Sequence, residues 1–478
     1  MPTLSRRAVL ARGMALAATG LMRNSSFGQA AINTAVQKRA PIPLQASVAW
    51  DQTISDVPQD MLGLSYESSQ LAAADFFSAA NTGLIDLFRR LSPNGVLRLG
   101  GNLSEFTRWS PNDEPEASSV PFRAVTPDPS AGRTIPHVPV TPAAIRNLRE
   151  FLYRTGWQTI YGLNLALAKR EQVVAEAKFV AQTLGPRLIA FQIGNEPNHY
   201  VLNRLRPPGY SFHDYFAEWS RIHSAVAEAL PTARFAGPDV AEDANWIERF
   251  AAAAPKSVVM LTGHHYAEGP PTDPAVTIEK LLTPDPAFAH HIETIEAISQ
   301  KARLPYVMTE TNSCYNAGKP GVSDVFGSAL WAADYILQLA QAKQKGVYFH
   351  GGGRGWYTPI SGGSGEPFAP RPVYYGMLLC RSLLGCEMAP VHMESTSANV
   401  SIYAVKHPQR IVVINKDAND VVLQLPKGER ATQALRLSAS SLEAKTNIQL
   451  ASQSLTLKER RAVPVPSFSA AILTLEQA

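Results

Sequence analysis

The chain is poor in cysteine, with only Cys314, Cys380 and Cys386 in 478 residues. An odd count without motif spacing makes neither a disulfide framework nor a zinc site. Cys380 and Cys386 are near enough in sequence to pair, but free buried thiols are the expectation. No apolar run reaches the roughly 20 residues that a bilayer span needs, so membrane insertion is not expected. No glycine-rich phosphate loop opens a helix after the first strand-like run, which argues against a dinucleotide site. There is no internal repeat and no low-complexity tract. With 45% hydrophobic and 18% charged residues, the composition is that of an ordinary globular protein.

An excess of one charge is also missing once the amino terminus is set aside. The whole chain carries 44 basic and 40 acidic side chains. Residues 1–30 hold Arg6, Arg7, Arg12 and Arg23 and no acid, so the remainder balances at 40 against 40. Nothing in that balance calls for nucleic acid as a partner. The leader reads as an export signal of the twin-arginine type: Ser5-Arg6-Arg7 precedes a short, weakly apolar stretch, with small residues near Gly28-Gln29-Ala30. A periplasmic or extracellular location is the expectation. The alternative is a basic leader without function.

What is there is a long alternation. Residues 31–56 read as a linker followed by one strand, 42–52. From 57 to 384, eight short apolar runs alternate with helical stretches. The runs begin at Met61, Gly95, Gln158 and Arg187, and then at Arg234, Val258, Pro305 and Gly346. They are apolar on both faces, as strands of a covered parallel sheet should be. Helices are expected from Thr141-Pro142 to Gly156, over 213–230 and over 324–345. This predicts an α/β fold, a (β/α)8 TIM barrel, with an open doubly wound sheet as runner-up. From 385 to 478 the helical period gives way to short alternating runs separated by turns, which predicts an antiparallel β-sandwich. The strand at 42–52 is expected to join it.

Chemistry in such a barrel gathers at the carboxyl ends of the strands. The fourth run ends in "FQIGNEPNHY", which puts Glu196 on that rim. The seventh ends in "YVMTETNSCY", which puts Glu310 there. A lone glutamate at a strand end more often caps a helix or pairs on the surface. Two of them, at strands four and seven, suit glycosidic cleavage, which needs one carboxyl to protonate the leaving group and another to attack the anomeric carbon. Mutual repulsion is expected to keep a proton on one of the pair. Asn195 is expected to donate to the sugar 2-hydroxyl. His264, His265, His350 and His199 also stand near strand ends. Neighbours in a strand face opposite sides, so His264 and His265 do not converge on one metal. No metal and no cofactor are expected.

Three segments, "VLRLGGNLSEF", "IGNEPNHY" and "TETNSCYNAG", resemble glycoside hydrolase family 79, the β-glucuronidases and heparanases. That family belongs to the retaining glycosidases with an acid/base after strand four and a nucleophile after strand seven. The resemblance covers most of the chain from about residue 42. It implies Glu196 as acid/base and Glu310 as nucleophile. It also implies that the Tyr315 hydroxyl and the amides of Asn316 and Ala317 hold a glucuronate carboxylate. Relatives often carry glycines directly after that tyrosine, and Asn316 and Ala317 depart from this. Lys319 is read as a solvated loop residue. Glu67, Asn102, Tyr266 and Tyr357 are further substrate-binding candidates, and Arg98 is expected to orient a catalytic carboxylate or to bridge the barrel floor.

The expected function is therefore an exo-acting β-glucuronidase that removes a terminal glucuronate. An endo-acting heparanase-like hydrolase would want a basic cleft, which a neutral chain does not favour. Another four/seven glycosidase, such as an arabinofuranosidase or xylosidase, and a non-catalytic sugar-binding module are the remaining readings.

Overall fold

The eight apolar runs form a closed parallel barrel. Its strands are β1 (Leu62–Glu67), β2 (Val96–Gly100), β3 (Gln158–Leu163) and β4 (Leu188–Ile193). They continue as β5 (Phe235–Ala241), β6 (Val258–Glu268), β7 (Tyr306–Cys314) and β8 (Val347–Gly351). Each strand pairs with its neighbour in sequence, and β8 closes on β1 with Val347 opposite Leu62. That closure excludes the open sheet. The computed structural model describes residues 40–112, 138–353, 355–363 and 365–476. The expected export signal and the linker up to residue 39 lie outside the described residues.

Helices take the positions their capping signals give them. Pro142–Thr155 starts on Thr141, whose hydroxyl accepts from the Ala144 amide at 3.3 Å, and stops at Gly156 in the left-handed region at φ 82°. Proline at the first position and glycine past the last follow the usual asymmetry of helix ends. Phe212–Ala229 opens on a capping box between Ser211 and Asp214. The third helix, Phe326–Gln341, is shorter than expected. Asp324 is not in it; its carboxylate accepts from the Gly321 amide and from Lys445.

The remaining strands form the sandwich. One sheet has seven strands in the order 55–56, 387–389, 400–405, 410–415, 469–475, 431–438, 449–454. The other has four, and Ile42–Val48 lies inside it, as the lone early strand was expected to. It ends at Val48, earlier than the sequence pattern suggested, and it runs antiparallel to Val391–Met393 but parallel to Val421–Gln424, with Ile42 opposite Val421. The two sheets enclose a core of their own that includes Leu44, Val413, Leu423, Val463 and Leu473. Against the barrel, Lys416 reaches Asp334 at 2.6 Å, both nearly buried, and Tyr403 donates to the same carboxylate at 2.6 Å. Cys314, Cys380 and Cys386 are buried free thiols. Among the described residues no helix is long and apolar enough to cross a membrane.

Candidate active site

The carboxyl ends of the strands bring the predicted residues to one rim. An oxygen of Glu196, an oxygen of Glu310 and a ring nitrogen of His264 lie within 4.8 Å of one another. Glu196 follows β4 in the left-handed region, φ 46° and ψ 53°, and its amide donates to Asp239 O at 2.8 Å. A non-glycine residue in that conformation costs about 1–3 kcal/mol and is held by its surroundings. Glu310 lies inside β7 and does not end it; the strand runs on to Cys314. Likewise β6 continues past Tyr266 to Glu268.

Arg98 stands at the centre. Fully buried, it donates to Glu310 Oε2 at 2.5 Å, Asp239 Oδ2 at 2.5 Å, Asn195 Oδ1 at 2.7 Å and Gln192 Oε1 at 3.1 Å. It therefore both aims a rim carboxylate and bridges the floor, the two readings the sequence left open. The glycines after it are required by this packing. A Cβ on Gly100 would sit 2.1 Å from the guanidinium carbon, and one on Gly101 would sit 2.3 Å from Glu67 Oε2.

The Asn195 side chain is fixed in one sense. Its oxygen accepts from Arg98 and from the Gly101 amide at 2.9 Å, so its NH2 group points to the exposed Asn102, at 3.3 Å. Tyr266 donates to Glu310 Oε1 at 2.7 Å. The Tyr357 and Tyr315 rings lie 6.1 and 6.5 Å from that of Tyr266, which brings both candidates to the same side of the cleft. Tyr315 is exposed. Asn316 and Ala317 take φ 54° and 67°, ahead of Gly318 at 83°. Neither amide has a backbone acceptor among the described residues. Lys319 is half-buried and not a free loop side chain: Nζ donates to Asp273 O at 2.7 Å and Val276 O at 2.8 Å, which ties this loop to the one after β6.

The proton inventory differs from the expectation. Burial pushes Glu196 up, but hydrogen bonds from His199 and His264 outweigh it and hold the carboxyl well below its ordinary range. Burial also opposes ionisation of Glu310; His350, His264 and Arg98 outweigh it and lower the group. His350 is itself held below its ordinary value by burial, whereas Arg98 and His264 are both raised above theirs. Repulsion between the two glutamates is thus overcome by cations, and both are held below the ordinary carboxyl range. Burial works against a charged His264, yet Asp239 and Glu310 raise it to about 10. Glu67 is the carboxyl that keeps a proton, pushed to about 8 by burial and then by the charge of Glu310.

Sequence reasoning missed several members. Asp239 ends the fifth run and Gln192 lies in the fourth; the strand-end rule that found Glu196 also points to Asp239. In the sequence, His264 suggests only a metal ligand. Its ring faces the site, whereas His265 points outward onto Phe288, ring centroids 4.3 Å apart. Glu105, inside a motif used for the resemblance, is buried and accepts from the amides of Leu165, Ala166 and Asn195 and from the Tyr200 hydroxyl, at 2.6–2.9 Å. It ties together the loops after β2, β3 and β4. A metal on Glu196, His264 and Glu310 would meet an imidazole already engaged by carboxylates at both nitrogens and an arginine on Glu310. The negative charge is met by the protein's own cations, so this donor set does not suit a metal.

A parallel barrel carrying a β-sandwich is a fold this chain shares with several solved structures. The chain aligns with a 4-O-α-L-rhamnosyl-β-D-glucuronidase from Fusarium oxysporum at TM-score 0.69 and 18% identity, over 91% of this chain and 99% of that one. It aligns with an α-L-arabinofuranosidase from Thermotoga maritima at TM-score 0.67 and 14% identity, over 90% and 99%. At these identities the likeness is one of fold. No protein-family profile matches the chain. In sequence it is a relative of β-glucuronidases and heparanases, as its three motifs implied. It is 25% identical to a β-glucuronidase of Aspergillus niger over 67% of this chain and 63% of that protein. It is 26% identical to a β-glucuronidase of Neurospora crassa over 65% and 59%, and to rat heparanase over 41% and 37%. The chain thus spans less than two thirds of the length of the curated relatives it matches.

Proposed function

We propose that the protein is an exported retaining exo-β-glucuronidase. The observation that carries this reading is the approach of Glu196 and Glu310 oxygens to within 4.8 Å, on a chain whose relatives include β-glucuronidases. Carboxyl groups about 5–5.5 Å apart suit a double displacement, and wider pairs of about 6.5–9.5 Å leave room for an inverting water. Glu310, ionised and held by Arg98 and Tyr266, is the nucleophile. Glu196 is the acid/base. The Asn195 NH2 group is turned toward the position of a sugar 2-hydroxyl, and Glu67 and Asn102 bind other hydroxyls. The Tyr315 hydroxyl and the amides of Asn316 and Ala317 hold the substrate carboxylate by fixed donors, with Tyr357 beside them. The arginine pair at the amino terminus supports export in a folded state.

An aryl glycoside panel tests the reading. Nitrophenol should be released from the β-glucuronide and not from the β-glucoside, and proton NMR should show the β-anomer of glucuronate forming first. Release from an α-arabinofuranoside or a β-xyloside alone, or cutting of heparan chains into large fragments, would replace it.

A further inference from the structure

His264 has a carboxylate oxygen at each ring nitrogen. Nδ1 is 2.9 Å from Glu196 Oε1 and Nε2 is 2.9 Å from Asp239 Oδ1, with the ring fully buried. A neutral imidazole offers one donor and one acceptor. Acceptors on both sides therefore require a doubly protonated ring, or a proton on one of the carboxyls. Asp239 is not the bearer. Arg98, Thr309 and the Gln192 amide all donate to it, the first two at 2.5 and 2.7 Å, so it stays ionised and fixes the proton on Nε2. The remaining proton belongs to the line between Nδ1 and Glu196.

We propose that His264 is the proton reservoir of Glu196, storing on Nδ1 the proton that the leaving group receives. The proposal rests on the roles assigned to Glu196 and Glu310. In the first displacement the Nδ1–H bond breaks and an O–H bond forms on Glu196. That bond then breaks as the aglycone oxygen takes the proton and keeps the electron pair of the cleaved glycosidic bond. Glu310 forms the new bond to the anomeric carbon and loses its negative charge. His264 loses its positive charge in the same step, so the net charge of the buried cluster is unchanged. In the second displacement Glu196 takes a proton from the attacking water, and His264 recovers it as Glu310 leaves ionised.

The groups facing this proton come from several elements. Glu310 and Asp239 favour a cationic His264. Arg98, 3.4 Å from Nε2, opposes it. His199 approaches the other oxygen of Glu196 at 3.5 Å, Glu242 stands near His199, and His350 lies behind Glu310. Ionised Glu310 is the one charge among these that the reaction itself removes.

The test uses the full chain labelled with 15N-histidine. In the free wild type at pH 7 both ring nitrogens of His264 should carry hydrogen. Its signals are those lost in His264→Gln or, should that variant not fold, those shifted in Glu196→Gln. In Glu310→Gln the ring should lose its second proton at a pH lower by at least one unit. In His264→Gln, kcat on an alkyl β-glucuronide should show its alkaline limb moved at least one pH unit toward acid, where a merely structural role would lower kcat without moving the limb. A neutral His264 at pH 7, or an unmoved limb, overturns the proposal. Wild type without turnover of any β-glucuronide would instead remove the functional reading, and the NMR result would still decide where the proton lies.

Discussion

Glu67 is the acidic side chain of the rim whose surroundings keep it neutral. Its Oε2 accepts from the Leu103 amide at 2.9 Å, but burial and the charge of Glu310 dominate and raise it to about 8. Below that pH it has an O–H to offer a sugar hydroxyl. Above it, the group becomes an anion facing the proposed anionic substrate. KM for a β-glucuronide should therefore rise above about pH 8, by up to about tenfold per pH unit, and Glu67→Gln should remove the rise. A wild-type KM that stays flat from pH 7 to 9.5 would contradict this. At this scale the sequence exposed what stands in short motifs on strand ends, Glu196 and Glu310 above all. It concealed what is defined by a partner far along the chain. Arg98 and Asp239 meet across 141 residues, and neither announces the other. The proton inventory was hidden for the same reason, since it depends on cations that only folding brings beside the glutamates.

The loop after β7 shows what is legible in an element. An amide-presenting role for it is proposed from resemblance alone, because Asn316 and Ala317 lack the glycines that would mark a left-handed turn. The backbone nevertheless takes φ 54° and 67° there. Asparagine tolerates that region better than alanine does. Ala317→Gly should accordingly stabilise the protein by about 0.5–1 kcal/mol, the relief of strain exceeding the added freedom of the unfolded chain. Urea unfolding measures this, and a loss of stability in the variant would count against the strain. Element ends were less legible than elements. β7 outruns its apolar core because Thr311, Asn312 and Ser313 are all buried, with the Thr311 hydroxyl bonded to Tyr335 and the Asn312 side-chain amide to two backbone carbonyls, so polarity no longer marks the strand's end.

Across the molecule, the change from a helical to a two-residue period marked where barrel gives way to sandwich. The parallel pairing of Ile42–Val48 with Val421–Gln424 left no trace in composition, because pairing direction is set by the path of the chain. The buried contact between the two layers was equally invisible. Lys416 and Asp334 are ordinary charges in sequence and a nearly dry ion pair in the fold. Removing one partner of such a pair costs about 3–5 kcal/mol, because the other is left buried and uncompensated. Lys416→Met should lose that much stability in urea unfolding. The double variant with Asp334→Ala should lose less than the single losses added together. A loss below 1 kcal/mol in Lys416→Met would show that water reaches Asp334.

The central claim is that Glu310 becomes covalently bonded to the anomeric carbon while Glu196 manages the proton. Incubation with a 2-deoxy-2-fluoro-β-glucuronyl fluoride, followed by mass spectrometry of the intact chain and of its peptides, tests it directly. The account predicts a mass increase of one fluoroglucuronyl group, carried by the peptide containing Glu310 and absent in Glu310→Gln. An adduct on another residue, or turnover of β-glucuronides with the α-anomer appearing first and no adduct at all, would contradict it.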